Sequence, residues 1–534
     1  MKNMQPIFFS RKTVERVKYI FLAFLFIVFL LLFVFSFSWR VRGDSVYLHY
    51  GAYLINEHGF LPYRDLFEIN MPGTYLFHMA VGKIFGYSDY ALRMVNIAWL
   101  TATFIVTWLI MKPFGRVTAF ASCLLFGILY LGFGPSMSLQ REFIAILPIA
   151  TALLLAIRRK PNHSVNLINF LIGVIFAFVA LIKPPLIVGF PAIIIYNSIG
   201  DTNDLKSIKK LIKPLIVGGL FALIGFLLTL IIPFIWLWRI GTLQTFLDIS
   251  SSYTPLYAQM SGDLRFQDTF SHIKHILYRF TEFKHFGILF IASIFGVYFV
   301  FKKSTSVDTK KLSILLLVLS VCYTIYAGSG GKVWFNYFLP YMYFGSLGTA
   351  IVLYSPHLFS KKHRPNIIPV LVFIISAIIV LEYKVFPKEY IAFPKIQIQP
   401  KQKYEIEAEI RQDEIVAYLN EHLSPTDKVQ PLSWVGGTIE AMLASKAVLA
   451  TPYITDLQFY HHVSTPYIQT LRQDFMTRLE AEKPRFIIDV YAGRKISGLD
   501  TTYEFPELRD FIKQHYYKDY TGSDFDIYRR QDDS

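Results

Sequence analysis

Two carboxylates stand where an ionised group is hardest to place. Asp44 follows an apolar run that ends at Trp39, with Arg40 and Arg42 beside it. Glu142 stands next to Arg141, immediately before the apolar run 143–157. A carboxylate at the edge of hydrocarbon is costly to desolvate, so Asp44 needs a partner or a purpose. One purpose is to accept a proton from an attacking hydroxyl. The plainer reading makes Asp44 the N-cap of an interfacial helix running to about His58. For Arg141 and Glu142 the plainer reading is a local ion pair capping a helix. Arg64, Arg141, Lys183 and Lys332 could neutralise an anionic leaving group. Long basic side chains also snorkel to the interface, which is the alternative for Lys183 and Lys332. Arg64, Asp65 and Glu68 share a short segment punctuated by Pro62, Pro72 and Gly73.

The elements that must position these groups are membrane helices. Of the 534 residues 54% are hydrophobic and only 17% charged, with 49 Phe and 33 Tyr. Soluble domains are about 45–50% apolar and about 25% charged, so both departures point to lipid. Both Cys residues, Cys123 and Cys322, lie inside apolar runs, which excludes a disulfide framework and a cysteine zinc site. The net charge of +15 is not gathered in one basic domain, so a nucleic-acid reading fails. Apolar runs near 19–39, 90–111, 117–133, 143–157, 166–182, 185–198, 214–238, 286–301, 312–327, 336–354 and 366–383 predict about eleven crossings.

Basic clusters fall in every second connection: Lys2 to Lys18, Arg158-Arg159-Lys160, Lys206 to Lys213, Lys302 to Lys311, and Lys361-Lys362-Arg364. Short basic loops stay in the cytoplasm, which places residues 1–18 inside and the tail outside. The expected organisation is a cytoplasmic tail (1–18), a polytopic membrane domain (19–383) and a small extracytoplasmic α/β domain (384–534). In that last domain a helix is predicted over Lys403–Leu423 and another over 465–482, between short strands at 428–434, 446–450 and 485–490. Tyr47, Tyr50, Tyr53 and Leu54 are spaced for a helix lying in the interface. Gly328-Ser329-Gly330-Gly331 lacks the strand and Lys of a P-loop and reads as a loop.

The ordered motifs of the first 350 residues resemble bacterial integral-membrane glycosyltransferases of the GT-C fold, in the family 39-like group of protein mannosyltransferases and lipid A aminoarabinose transferases. The resembling residues are Asp44, Gly59-x-x-Pro62-Tyr63-Arg64-Asp65, Met71-Pro72-Gly73-x-Tyr75, and Phe85-Gly86-x-Ser88 before Arg93 and Asn96. Arg141-Glu142, Lys183-Pro184-Pro185 and Asn336-Tyr337-x-x-Pro340 continue the series. The resemblance implies an all-α GT-C-like membrane domain with interfacial helices in the first outer loop, followed by the α/β tail domain. It implies an inverting transfer of a sugar from a polyprenyl-phosphate lipid to an extracytoplasmic glycan, lipid or protein, in a bacterial inner membrane. Asp44 would be the catalytic base and Glu142 the second acidic residue. Arg64, Arg141, Lys183, Lys332 and Tyr337 would bind the donor phosphate, and Asp65, Glu68 and Tyr257 would position substrate.

The chain departs from the family at Asn70-Met71-Pro72, where many relatives carry a basic residue. Arg64 or Lys183 would have to serve instead. Tyr257, with Asp248, Tyr253, Asp263 and His272, sits in the loop 239–285, whose aromatics could stack on a sugar or pack at the interface. No cofactor is expected and no metal is assigned; the family has members with and without a divalent ion. A ligase or polymerase using a lipid diphosphate is the alternative enzyme. A transporter or flippase of a lipid-linked sugar is disfavoured, because polar residues gather on one side and no halves repeat.

Overall fold

Hydrocarbon offers a bare peptide group no hydrogen-bond partner, so apolar runs of this length are committed to helix. The computed structural model describes residues 10–158, 164–199, 208–260, 274, 284–302, 305–329, 335–354, 367–384, 403–433, 435–491 and 499–531. The first helices are α1 (Arg11–Ser36), α2 (Asp44–His58), α3 (Pro72–Phe85), α4 (Asp89–Met111), α5 (Arg116–Gly132), α6 (Arg141–Ile157), α7 (Val165–Ile182) and α8 (Phe190–Ile199). Next come α9 (Ile208–Arg239), α10 (Leu243–Asp248), α11 (Thr254–Ala258), α12 (Lys284–Phe301), α13 (Val307–Ser329), α14 (Leu339–Ile351) and α15 (Ile368–Lys384). The tail contributes α16 (Lys403–His422), α17 (Thr438–Ala444), α18 (Pro466–Glu482) and α19 (Pro506–His515).

Each apolar run of the sequence is centred on one of these helices, the runs 185–198 and 336–354 opening with 3₁₀ turns at Pro184–Gly189 and Phe335–Phe338. Among the described residues, Lys12–Ser36, Asp89–Phe114, Val165–Ile182, Ile212–Arg239 and Val307–Gly328 are long and apolar enough to cross a membrane. Shorter apolar helices follow the same pattern, and the chain is a multi-pass membrane protein. The glycine tetrad corrects one expectation. α13 continues through Gly328 and Ser329, while Gly330 and Gly331 lie outside the described residues.

Two compact units divide the chain. The first comprises Met1–Trp39, Asn96–Leu230 and Asp268–Gln399. At its centre α14 is buried along its whole length and packs on α5, α12 and α13. Small residues make that approach possible: a Cβ on Gly348 would lie 2.2 Å from Ser293 Oγ, and one on Gly296 would lie 2.8 Å from Gly348 O. Gly173 of α7 lets the α9 backbone come just as close, since a Cβ there would meet Ala222 O at 1.9 Å. By contrast, α1 and α9 turn Ile20, Ile27, Val34, Ile216, Leu220 and Leu228 outward, the surface expected of helices bathed in lipid.

The second unit comprises Arg40–Val95, Ile231–Gln267 and Pro400–Ser534. Its strands β1 (Lys428–Leu432), β2 (Val448–Leu449), β3 (Phe486–Val490), β4 (Tyr516–Thr521) and β5 (Phe525–Arg530) form one sheet in the order β2-β1-β3-β5-β4. β1 runs parallel to β2 and β3, whereas β5 is antiparallel to β3 and β4. Central β3, Phe-Ile-Ile-Asp-Val, is buried throughout, as a strand covered on both faces must be. The loop 40–95 folds onto this tail domain. Tyr50 and Tyr53 donate to Ala447 O at 2.9 Å and Lys446 O at 3.1 Å, and Phe67 N donates to Pro452 O at 2.8 Å. The tyrosine face of α2, expected to lie in the membrane interface, is therefore buried against protein. The periodicity marked an apolar face correctly, but periodicity cannot say what covers it.

Candidate functional site

In the first unit three segments bring side chains to one carboxylate, that of Glu142. Asn96 Oδ1 accepts from Leu139 N at 3.2 Å and from the Tyr130 hydroxyl, fixing the turn before α6, where Leu139 has φ 51°. That turn places Glu142 in the first turn of α6, where the helix dipole favours an anion. Glu142 is fully buried. Lys183 Nζ donates to its Oε1, the Tyr326 hydroxyl donates to Oε1 at 2.9 Å, and Asn336 Nδ2 donates to Oε2 at 3.0 Å. Lys183 is the last residue before the Pro184–Pro185 break, with φ −159° and ψ 103°, so extended backbone swings its side chain off the end of α7. Its ammonium also lies 3.8 Å from the centroid of the Tyr337 ring, within cation–π range. Lys183 is therefore held by a buried acid and an aromatic face, which replaces the snorkelling reading. Glu142 likewise reaches across the fold, beyond the local pair with Arg141 that its sequence neighbour suggested.

Asp44 belongs to the second unit. It is exposed and is the first residue of α2, while the N-cap position falls on Gly43 at φ 75°, a conformation that suits glycine. The capping reading is thereby corrected: no side chain caps this helix through the N-cap residue, and Asp44 contributes as an acid in the first turn. The neighbouring arginines are directed elsewhere. Arg40 pairs with Asp413 of α16 at 2.6 Å, and buried Arg42 pairs with Glu409 at 3.4 Å. The carboxylate stays at the surface while the two cations tie the loop to the tail helix.

Arg64 is exposed and forked onto Asp65, with Nε–Oδ1 at 2.8 Å and Nη2–Oδ2 at 2.9 Å. Burial opposes ionisation of Asp65, but the Arg64 guanidinium and the Leu61 amide outweigh it and hold the carboxyl below its usual range. Glu68 is buried and gathers its own loop: Oε1 accepts from Ile69 N, Asn70 N and Asn70 Nδ2 at 2.6–2.9 Å, and Oε2 from Tyr75 OH at 3.2 Å. Burial, reinforced by Glu68, pushes the Tyr47 and Tyr75 phenols well above their ordinary values, so both remain neutral donors. Tyr257 is half-buried on α11, 6.2 Å ring to ring from Tyr253. Lys332, Asp263 and His272 lie outside the described residues. Among the described residues no group of three or more His, Cys, Asp or Glu side chains converges to hold a metal ion.

Residues 71–232 match the family model described as dolichyl-phosphate-mannose-protein mannosyltransferase. No curated protein sequence matches the chain. Among solved structures, ArnT from Cupriavidus metallidurans bound to undecaprenyl phosphate is similar with a TM-score of 0.54 at 10% identity, covering 96% of this chain and 98% of that one. The chain has the GT-C glycosyltransferase fold. The apo form of the same ArnT gives a TM-score of 0.39 at 10% identity, covering 95% and 97% of the two chains. An oligosaccharyltransferase from Archaeoglobus fulgidus gives 0.41 at 12% identity, covering 84% of this chain and 64% of that one. The family that matches residues 71–232 and the protein that shares the fold are both glycosyltransferases. Within this GT-C chain the matched segment holds Arg141, Glu142 and Lys183 and begins after Asp44.

The sequence reading missed Tyr326 as a partner of Glu142 and recorded Asn336 only as part of a motif. The signal for Tyr326 was a hydroxyl-bearing aromatic near the end of an apolar run. A buried tyrosine must find an acceptor, and a buried carboxylate in the same bundle is the natural one.

Proposed function

We propose that the chain transfers a sugar from a polyprenyl-phosphate donor to an acceptor hydroxyl on the extracytoplasmic side of a bacterial inner membrane. The fold shared over nearly the whole of both chains with ArnT, a structure holding undecaprenyl phosphate, is the observation that carries this reading. The description of the matched family, with its lipid-phosphate-linked mannose, supports the same donor chemistry. The acceptor hydroxyl attacks the anomeric carbon as Asp44 takes its proton, the carbon–oxygen bond to phosphate breaks, and the carrier leaves as the lipid phosphate. A single displacement inverts the anomeric centre. Asp44 suits the role of base because it is an exposed carboxylate in the first turn of α2.

Charge left on the phosphate is met by cations. Lys183 supplies the one that the family carries where this chain has Asn70, with Arg141, Arg64 and Lys332 as further donors and Tyr337 beneath Lys183. Glu142, whose two oxygens accept from three side chains, orients Lys183 instead of moving a proton. Asp65 and Glu68 hold the loop that follows α2, and Tyr257 offers a ring to the sugar. The alternating basic clusters support an inside N-terminus and an outside tail.

The test is transfer of radiolabelled sugar from polyprenyl phosphate by membranes of equal protein content. Asp44→Asn keeps size and polarity but removes proton affinity, so turnover is expected to fall on the order of 100-fold, within the range positioned bases contribute. Donor binding is expected to persist. Equal rates for Asp44→Asn and the native chain would remove Asp44 from the mechanism.

A further inference from the structure

Helices α1, α4 and α5 of the first unit leave a cavity of about 340 Å³ between them, open to the outside of the bundle. Its walls are Phe26 and Phe29 of α1, Phe104 and Trp108 of α4, and Phe120 and Leu124 of α5. Besides the Trp108 indole, the lining residues with polar groups spend them on backbone: Thr101 Oγ1 donates to Ile97 O at 2.8 Å, and Cys123 Sγ to Phe104 O at 3.6 Å. An occupant therefore meets hydrocarbon, and in a spanning bundle the medium outside is lipid.

One end of the groove is cationic. Lys112 lies four residues beyond Trp108, opening the 3₁₀ turn Lys112–Phe114 that directly continues α4, and Arg116 lies four residues before Phe120, at the start of α5. Residues four apart share a helix face, so both cations continue the groove-lining faces toward the α4–α5 turn. On α1 Lys12, Arg16, Tyr19 and Phe26, at steps of four, three and seven, also share one helix face, and all four are exposed. The acid of that turn of α1, Glu15, is already spent on Lys18 at 2.5 Å. A hydrocarbon slot that ends in cations fits a molecule with an apolar chain and an anionic head.

We propose that this groove binds one acyl chain of an anionic phospholipid whose headgroup lies against Lys112 and Arg116. The proposal stands apart from the donor reading, because it uses none of the residues placed in transfer. Bound lipid would fill the gap between α1 and the α4–α5 hairpin, fastening the first helix to the bundle.

The test uses the full chain purified in detergent and exchanged into equimolar phosphatidylglycerol and phosphatidylethanolamine, with retained lipid counted by native mass spectrometry. The native chain should retain phosphatidylglycerol preferentially. Each basic residue near a charged lipid surface is worth about fivefold, so Lys112→Gln/Arg116→Gln should lower that retention by roughly tenfold or more. Thr101→Trp, which fills the groove and leaves the cations intact, should displace the lipid as well. Equal retention of both lipids, or retention unchanged in both variants, would overturn the proposal. So would release of a polyprenyl phosphate from the native chain but not from Thr101→Trp, since the groove would then belong to the carrier.

Discussion

The ion pair between Glu142 and Lys183 makes a prediction whose size follows from burial. Lys183→Met removes the cation bonded to Glu142 Oε1 and leaves a fully buried carboxylate with the neutral donors Tyr326 and Asn336. Removing one partner of a buried pair typically costs about 3–5 kcal/mol, because the other charge is stranded. Glu142→Gln strands the lysine instead. Lys183 keeps 13% of its side chain exposed and can draw on water, so about 1–3 kcal/mol is expected there. The double variant Glu142→Gln/Lys183→Met strands neither charge and should be more stable than the sum of the singles, with a coupling of about 0.5–3 kcal/mol. Denaturant unfolding of the four proteins in one detergent, at one lipid-to-protein ratio, measures the cycle. Activity is a separate readout: the double variant should regain stability and stay inactive, since the cation proposed to meet the donor phosphate is gone. Additive singles, or a Lys183→Met protein as stable as the native chain, would refute the account of Glu142 as the group that holds Lys183.

Two further predictions concern other parts of the fold. His49 is buried in α2 with its Nε2 near Gly86 O, and burial lowers its pKa to about 4 from an ordinary value near 6.5. A depressed folded pKa means that the unfolded chain binds the proton first. Stability is therefore complete above about pH 6.5 and falls toward pH 4, at up to about 1.4 kcal/mol per unit. His49→Phe should flatten the slope of unfolding free energy against pH between 6.5 and 4, and an unchanged slope would assign it to other groups. In the first unit, Gly173→Val places a side chain where Ala222 O already stands, so α7 and α9 must separate. Loss of folded protein in detergent, larger for Gly173→Val than for Gly219→Ala, where a Cβ meets nothing within 4 Å, checks it.

How far the sequence carries can be argued residue by residue. The membrane helices were legible because hydrocarbon forces backbone to bond within its own segment, and α2 was legible at Asp44 and at His58 because Gly59 ends it at φ 70°. In the tail, β1 and β3 announced themselves as apolar runs. The hairpin of β4 and β5 did not: Tyr-Tyr-Lys-Asp-Tyr-Thr is an edge strand with mostly exposed side chains, and edge strands carry charge to discourage further pairing.

The site residues divide by the same logic. A cation's partner is a matter of tertiary geometry, so Arg40 and Arg42, adjacent to Asp44 in sequence, pair instead with acids more than 360 residues away. Lys183 and Glu142, separated by 41 positions, meet because an extended residue before a Pro-Pro break faces a helix N-terminus. Spacing therefore identified which residues could be ionised at the membrane edge, and packing decided what each ionised group does. Glu142 inside a shell of donors becomes a fixed charge that positions a lysine. Asp44, exposed in the first turn of α2, is the carboxylate to which we assign the role of base.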